Sequence, residues 1–374
     1  MAVTLADIAR RAGVSKTAVS RVVNHSRGTA GISASKRAEI LRVAQDMGYL
    51  PNAASRATRQ GRFNRIAGVV VQYGSDGSGY FPNTGFLDPA ADHLAEHGYS
   101  LVLEPLHLDL LDDAFREPPR IFSELAVDGI LGLPAGGVVP ATVDEHLARL
   151  GAPVVWMNRD QAEHPHSVMS DEEANARMLV RHLIDLGHRR IGYIAFESPN
   201  YVLSRRARGV LGELEAAGLD TSGVLIGPRA SCMVGLAEAL LVPRLRVTAA
   251  IGQHRGAYDA LSHTALRLGI RVPEELSLAY FASPWQVVLS DYRPTTVEVA
   301  EGQMAVRAAA RLLALVSGEE ISEPEPPIAG TLRPGWTTAR PGSAWAEGVR
   351  RCRHEEGVCL YADRTAHWRP SVGP

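Results

Sequence analysis

Four side chains near the amino terminus combine the chemistry and the spacing that nucleic-acid binding requires. They are Lys16, Thr17, Ser20 and Arg21. Residues three and four apart share one face of a helix, so these four lie together if the segment is helical. Cationic and hydroxyl-bearing side chains on an exposed helix can contact phosphates and base edges. The pattern therefore predicts a helix with a polar, positively charged outer face.

Capping and periodicity signals place this helix between two others. The predicted helices span 5–12, 16–24 and 34–47, with Thr4, Ser15 and Ser33 as their N-caps. Gly13 allows a tight turn between the first two, and Ile40, Leu41 and Ala44 are the predicted inward stripe of the third. Two short helices joined by a glycine turn and braced by a third predict a helix-turn-helix. The first two helices alone would fit any helical hairpin equally well.

The charge of the chain is divided unevenly along its length. Of its 374 residues, the first 65 hold twelve Lys and Arg against Asp7, Glu39 and Asp46, a net charge of +9. The whole chain carries −2, so the other 309 residues carry −11. A small basic module on a large acidic body indicates a polyanion-binding head on a separate core. A chain of this length has room for two or more domains.

Composition and motif content exclude several classes of protein. Three cysteines form no disulfide framework, and the amino terminus lacks the apolar region of a signal peptide. No apolar run reaches the roughly 18 residues that a membrane-spanning helix needs, so we expect a cytoplasmic protein with no membrane partner. No nucleophile elbow and no His-Glu-x-x-His helix occurs, so we predict no enzyme, no catalytic residue, no cofactor and no metal site. The glycine-rich stretch 74–79 matches no phosphate-binding fingerprint and is predicted to be a loop.

The amino-terminal segment resembles the headpiece of the lactose-repressor (LacI/GalR) family of transcription regulators. The resemblance covers about sixty residues and rests on VTLADIARRAGVSKTAVSRVVN and KRAEILRVAQDMGYLPNAASR. It implies that Lys16, Thr17 and Arg21 read base edges, where arginine can bind guanine O6 and N7 bidentately. It implies positioning roles, including phosphate contacts, for Thr4, Ser15, Ser20 and Asn24. For Ser15 and Ser20, helix capping and simple surface exposure stay open as alternatives.

The sequence departs from the family pattern in two places. The stretch HSRGTAGI is about three residues longer than usual, so no DNA contact is carried over to it. In the hinge, Thr58 stands where the family has a leucine that wedges into the minor groove, so we expect less unstacking and a smaller bend. Its arginines still supply charge, and we expect the hinge to contribute by charge more than by intercalation. The hinge residues assigned to the minor groove are Asn52, Ser55, Arg56, Thr58, Arg59 and Arg62.

From residue 66 onward, apolar runs of strand length alternate with segments of helical period. This alternation predicts parallel sheets covered by helices on both faces, and the length predicts two lobes with a cleft at the carboxyl ends of the strands. The family resemblance extends through VDGILGL, APVVWMNR, HLIDLGHRRIGYI, LRLGIRVPEELSL and RPTTVEV. It implies a periplasmic-binding-protein-like core that dimerises and holds a small effector between its lobes.

The residues expected at the effector site differ from those of sugar-binding members. Those members place an Asn-Asp pair and an Asp pair where this chain has His254-Arg255 and Ala282-Ser283. A buried hydroxyl without its partner costs about 1–3 kcal/mol, so we expect no ordinary neutral monosaccharide. Arg206 matches the family's effector-contacting arginine, and together with His254 or Arg255 it indicates an anionic effector. Tyr80 and Phe81 fall near the family's aromatic stacking positions. The alternative is a regulator without an effector, in which these charges only form salt bridges.

We therefore predict an all-α helix-turn-helix headpiece joined to an α/β periplasmic-binding-protein-like core of two doubly wound parallel-sheet lobes. The predicted boundaries are 1–50 for the headpiece, 51–63 for the hinge, 64–340 for the core and 341–374 for a disordered tail. In that tail, Cys352, His354, Cys359 and His367 fit no standard zinc finger, and a zinc site is the alternative to disorder.

The predicted function is a dimeric, sequence-specific transcription regulator, a repressor that binds a near-palindromic DNA operator and responds to a small effector. An activator or an effector-independent regulator is the alternative within this class. A solute-binding or enzymatic protein on the same core is the alternative outside it.

Overall fold

The computed structural model describes most of the chain. The described residues are 3–23, 31–50, 61–72, 87–107, 126–134, 139–162, 164–197, 201–241, 247–283, 293–341, 351–354 and 357–360. Several residues assigned to DNA or effector lie outside these ranges, and their assignments stay predictions. They are Asn24, Asn52, Ser55, Arg56, Thr58, Arg59, Tyr80 and Phe81.

The headpiece is a three-helix unit around a small apolar core. Its helices are α1 (Leu5–Ala12), α2 (Lys16–Val23) and α3 (Ala34–Asp46). Ile8, Val19 and Ile40 are each fully buried where the three helices meet. The predicted stripe of α3 was wrong at one position, because Leu41 is 39% exposed and Val43 is buried instead. Positions 40, 43 and 44 share a face at helical spacing, whereas residue 41 is rotated by about 100° from residue 40.

Twelve strands are described in the rest of the chain. They are β1 (Arg65–Gln72), β2 (Ser100–His107), β3 (Gly129–Pro134), β4 (Val154–Trp156), β5 (Ile191–Phe196), β6 (Val224–Gly227), β7 (Ala249–Gly252), β8 (Ser277–Ala282), β9 (Thr295–Glu298), β10 (Thr331–Arg333), β11 (Arg351–His354) and β12 (Gly357–Leu360). The first four form a parallel sheet in the order β2-β1-β3-β4, which we call lobe 1. The next six form a sheet in the order β10-β9-β8-β7-β5-β6, which we call lobe 2. Lobe 2 departs from the predicted parallel sheet at its edge, where β10 pairs antiparallel with β9.

Seven further helices are described around these sheets. They are α4 (Asp88–Glu96), α5 (Ala141–Leu150), α6 (Glu172–Asp185), α7 (Tyr201–Ala216), α8 (Met233–Leu241), α9 (Arg255–Arg267) and α10 (Glu301–Val316). Lobe 1 has α4 and α10 against one face and α5 against the other. Lobe 2 has α6 and α7 against one face and α8 and α9 against the other. Both sheets are therefore doubly wound, as the strand-helix alternation predicts.

The chain crosses between the two lobes three times. Residues 157–171 lead from β4 to α6, 299–300 lead from β9 to α10, and 317–330 lead from α10 to β10. An isolated bridge between Met157 and Val168 lies within the first crossover, and a second bridge, between Ser170 and Ile328, pairs the first crossover with the third. Helix α10 thus lies between two strands of lobe 2 in the sequence, β9 and β10, but packs in lobe 1, and neither it nor α8 was predicted.

The carboxyl-terminal tail contains one described element. Strands β11 and β12 form an antiparallel hairpin in which the backbone of Cys352 lies opposite that of Cys359 in the strand register. These eight residues form strands, and disorder stays a prediction for the other residues of the tail.

Candidate functional site

Helix α2 presents the polar face that the sequence predicts. Lys16, Thr17 and Arg21 are exposed, while Val19 and Val22 on the opposite side are buried in the headpiece core. The base-reading assignment is not tested by this geometry, but the three side chains lie together on the solvent side of one helix. Its length and exposed face suit the major groove, which is about 12 Å wide and admits a helix.

The hydroxyls assigned to phosphate positioning also cap helices. The Thr4 Oγ1 accepts from the Asp7 amide at 3.4 Å, and the Thr4 amide donates to Asp7 Oδ2 at 3.1 Å, a reciprocal capping box. The Thr4 hydroxyl also donates to Asp7 Oδ2 at 2.7 Å. These bonds from Thr4 hold the pKa of Asp7 below its ordinary value. The Ser15 Oγ accepts from the Ala18 amide at 3.1 Å at the start of α2. Capping is therefore confirmed for Ser15, and its hydroxyl proton stays available to a phosphate.

The segment that leaves the hinge is held to lobe 1 by one carboxylate. Asp128 accepts from the Phe63 amide at 2.8 Å and from the Arg65 amide at 3.3 Å. Its own amide donates to the Arg65 carbonyl at 2.8 Å. Arg62, just before this anchor, is exposed, as a phosphate-contacting residue requires. Asp128 was not predicted as a functional residue, because its partners lie 63 and 65 positions away.

A topological switch point lies in lobe 2 between β5 and β7. After β5 the chain adds β6 on one side and β7 on the other, which leaves a crevice at the carboxyl ends of these strands. Gln253 bridges the two strand ends: its Oε1 accepts from the Phe196 amide at 3.2 Å. Gln253 is only 1% exposed. Gly252 lets α9 begin directly behind β7, since a Cβ there would collide with the Tyr258 backbone.

Arg206 reaches this switch point from α7, and its charge is already paired. Its Nε donates to Glu172 Oε2 at 2.7 Å, and its Nη1 donates to the Gln253 carbonyl at 3.0 Å. The guanidinium carbon lies 4.7 Å from the centre of the Phe281 ring. The Arg206 side chain is 8% exposed and that of Glu172 is fully buried. The expectation of an anionic effector therefore loses its main support, because the positive charge of Arg206 is already neutralised by Glu172.

His254 and Arg255 lie at the same strand ends as Arg206 but add no free charge. The His254 Nδ1 accepts from the Gly256 amide at 2.9 Å and from the Ala257 amide at 3.3 Å, so His254 is the N-cap of α9. Burial and the nearby Arg206 charge lower the pKa of His254 to about 4. The Arg255 Nε donates to Asp259 at 2.7 Å. Within the residues described here, the structure brings the three predicted cations together with their charges neutralised or paired.

We expect acid to destabilise the protein in part through His254. An unfolded histidine takes up a proton near pH 6.5, whereas folded His254 does so only near pH 4, so the free energy of unfolding should fall across this window. His182 and His188 also have pKa values lowered by burial and add to the same slope. Urea unfolding at a series of pH values between 7 and 4 measures how the free energy of unfolding depends on pH. His254→Asn keeps an N-cap acceptor and should give a shallower slope, and an unchanged slope would refute this role for His254.

A polar chain joins the switch point to the first crossover. The Ser170 hydroxyl lies 2.7 Å from Glu172 Oε1 and 2.9 Å from Asn158 Oδ1, and its single proton goes to one of them. Asn158 Oδ1 also accepts from the Ser170 amide at 2.8 Å. Asn158 has a positive φ of 56°, a conformation that asparagine tolerates better than most residues. Sequence reasoning missed Ser170, Glu172 and Gln253. For Glu172 the reason is that a run of Asp-Glu-Glu at the start of a helix indicates only a favourable first turn.

A separate cavity of about 330 Å³ lies at the opposite end of the lobe 2 sheet, before β7 and β8 begin. Leu241, Val247 and Leu268 are among its lining residues, together with Glu275. That carboxylate is engaged by Arg271 at 3.0 Å. The cavity lacks the converging polar groups of the switch point and contributes nothing to it.

A search for metal-binding groups found none within the described ranges: no three His, Cys, Asp or Glu residues are placed to hold an ion. His367, one of the four tail residues of the zinc alternative, lies outside those ranges. Among the described helices, none is long and apolar enough to cross a membrane.

Known proteins match both parts of the molecule. The family model "Bacterial regulatory proteins, lacI family" matches residues 4–52, and "Periplasmic binding protein-like domain" matches 180–338. The class is thus a helix-turn-helix transcription regulator with a periplasmic-binding-protein-like core. The HTH-type transcriptional regulator in aml 5'region of Streptomyces limosus is 30% identical over 334 residues, 86% of this chain and 90% of that protein. The chain belongs to the lacI family of bacterial regulatory proteins.

Two further comparisons agree with this membership. The HTH-type transcriptional regulator GalS of Salmonella typhimurium is 29% identical and covers 81% of this chain and 87% of its own length. The crystal structure of the lac repressor dimer bound to operator and the anti-inducer ONPF has a TM-score of 0.74 at 18% identity. It covers 91% of this chain and 100% of the compared chain, so the fold is shared over that part of the chain.

Proposed function

We propose that this regulator binds a near-palindromic operator as a dimer and represses transcription. The exposed polar face of α2 supports this most directly, because its buried side fixes the helix while Lys16, Thr17 and Arg21 stay free for base edges. The lac repressor dimer that shares its fold is bound to operator, which is the arrangement proposed for this chain. Two heads related by a two-fold axis would then read successive major grooves.

The core would supply the regulation. A small molecule at the β5–β7 switch point would change how the two lobes close, and the crossovers and the Asp128 anchor would carry that change to the hinge. A coupling of about 1–3 kcal/mol is typical of such a switch. The protein would work in the cytoplasm, where the genome is, and would catalyse no reaction, in keeping with relatives that are regulators.

Selection of bound genomic fragments, followed by binding measurements on the enriched sequence, tests this function. Arg21→Ala should weaken binding by about 1–3 kcal/mol and relax the preference at one base pair. Arg62→Ala should weaken all sequences alike. Arg42→Ala removes the same charge from an exposed site on α3 and is the matched control, expected to leave sequence preference unchanged. The recognition role of α2 is wrong if Arg21→Ala and Arg42→Ala behave alike.

An effector-independent regulator is a second candidate, and the buried pair of Arg206 and Glu172 favours it. A site whose charges satisfy each other needs no ligand to be stable. Thermal-shift screening of the full-length protein against sugars, nucleosides, amino acids and organic acids separates the two candidates. Stabilisation by any compound that also changes operator affinity supports the effector. No stabilisation across the panel supports the second candidate.

A further inference from the structure

The Glu172 carboxylate occupies the place that an anionic ligand would take on Arg206. It binds the guanidinium at 2.7 Å while its other oxygen faces the Ser170 hydroxyl at 2.7 Å. The pair is shielded from water, since Glu172 is 1% exposed and Arg206 is 6% exposed. Glu172 is part of α6, so its carboxylate is held beside Arg206 at a high effective concentration.

An external anion entering this site faces two costs. It must displace the tethered carboxylate from the arginine, or it must be buried beside that carboxylate, which leaves the site with at least one net negative charge. A buried charge without a partner is strongly unfavourable. A ligand without net negative charge avoids both costs, because it can use the remaining N–H groups of Arg206 and the Gln253 carbonyl without separating the pair.

Neighbouring cations do not relieve these costs. His254 is neutral near pH 7 because its pKa is about 4, and Arg255 is paired with Asp259. Arg205, one position before Arg206, contacts Glu173 at 2.9 Å and Asp160 at 3.5 Å. Each of these neighbouring groups is therefore neutral or has a carboxylate of its own.

We propose that Glu172 determines the charge specificity of the effector cleft, by making it reject anions and accept ligands without net negative charge. The inference rests on the proposed function, in which this switch point is the effector site. It predicts that removing the Glu172 charge converts the cleft into an anion site centred on Arg206, since arginine binds phosphate and carboxylate bidentately.

The test is calorimetry of full-length protein with inorganic phosphate and with citrate, at constant ionic strength. Phosphate contacts in the headpiece form a common background in every variant. Glu172→Gln keeps the shape of the side chain, and its oxygen can still accept from Arg206 while its NH2 group donates to the Ser170 hydroxyl, so the variant should bind phosphate about tenfold or more tightly than wild type does. Glu173→Gln removes a charge one position away on the same helix and should match wild type. The double variant Glu172→Gln with Arg206→Met should lose the gain.

Two results overturn the proposal. The first is that wild type binds phosphate as tightly as Glu172→Gln does, and the second is that the gain in phosphate affinity persists when Arg206 is also replaced. If Glu172→Gln does not fold by circular dichroism, Glu172→Met gives the same comparison. Operator binding is measured on the same proteins, so wild type that binds no DNA refutes the proposed function whatever phosphate does. Anion binding gained by Glu172→Gln alone supports Glu172 as the specificity residue.

Discussion

Replacing Arg206 by methionine is expected to lower the free energy of unfolding by about 3–5 kcal/mol. The variant leaves the fully buried Glu172 carboxylate without its cation, and it also removes the donor to the Gln253 carbonyl. A buried charge that loses its only strong partner is far more costly than an exposed one. Urea unfolding of full-length protein followed by far-UV circular dichroism measures the loss.

Two variants test whether burial of the Arg206–Glu172 pair causes the expected loss of unfolding free energy in Arg206→Met. Arg208→Met lies on the same helix, but the Arg208 side chain is 64% exposed and lies 3.5 Å from Glu173, so its loss should cost at most about 1 kcal/mol. Adding Glu172→Gln to Arg206→Met removes the stranded charge and should recover part of the stability. Equal losses for Arg206→Met and Arg208→Met would contradict the buried pair.

Replacing Ile40 by alanine is expected to unfold the headpiece and to abolish DNA binding while both lobes stay folded. Ile40 is fully buried against α1 and α2, and truncating a buried isoleucine costs about 2–5 kcal/mol. A domain of about fifty residues has only a few kcal/mol of stability in total. Calorimetric scanning should show the transition of the lobes unchanged, and fluorescence anisotropy with selected DNA fragments should show no binding.

Leu41→Ala is the matched control, since it removes a side chain of the same size from the next position of the same helix. Leu41 is 39% exposed, so the variant should bind DNA nearly as wild type does. This comparison also decides between the sequence pattern, which assigned Leu41 to the core, and the structure, which assigns Val43. Loss of DNA binding in Leu41→Ala would show that the packing of α3 is different.

Much of the fold follows from local patterns. The start of α1 at Leu5 and its cap at Thr4 depend on neighbours three residues apart, and the sequence predicts both correctly. The alternation of strand and helix from residue 66 onward likewise depends on hydrophobic spacing over short windows. Helix α8 was missed because MVGLAEALL is apolar on most sides, so its period is hidden.

The grouping of residues at the proposed effector site was predicted in part. Arg206, His254 and Arg255 do meet at the switch point, because parallel strands bring their carboxyl ends to one edge of the sheet. The charge of the site was predicted wrongly, since Glu172 lies 34 positions from Arg206 and no spacing rule connects them. The burial that makes this pair strong is itself a product of packing between α6, α7 and β7.

The sequence by itself determined the headpiece, the two-lobed α/β class and the division of charge between +9 in the first 65 residues and −11 in the rest. These depend on residue type, local spacing and composition. The tertiary structure decided which charges are free. It buried Arg206 against Glu172, placed α10 in lobe 1 although the helix lies between two strands of lobe 2 in the sequence, and anchored the hinge exit on Asp128. Each of these depends on contacts between residues far apart in the chain, and whether a charge is available to a ligand depends on its surroundings rather than on its residue type.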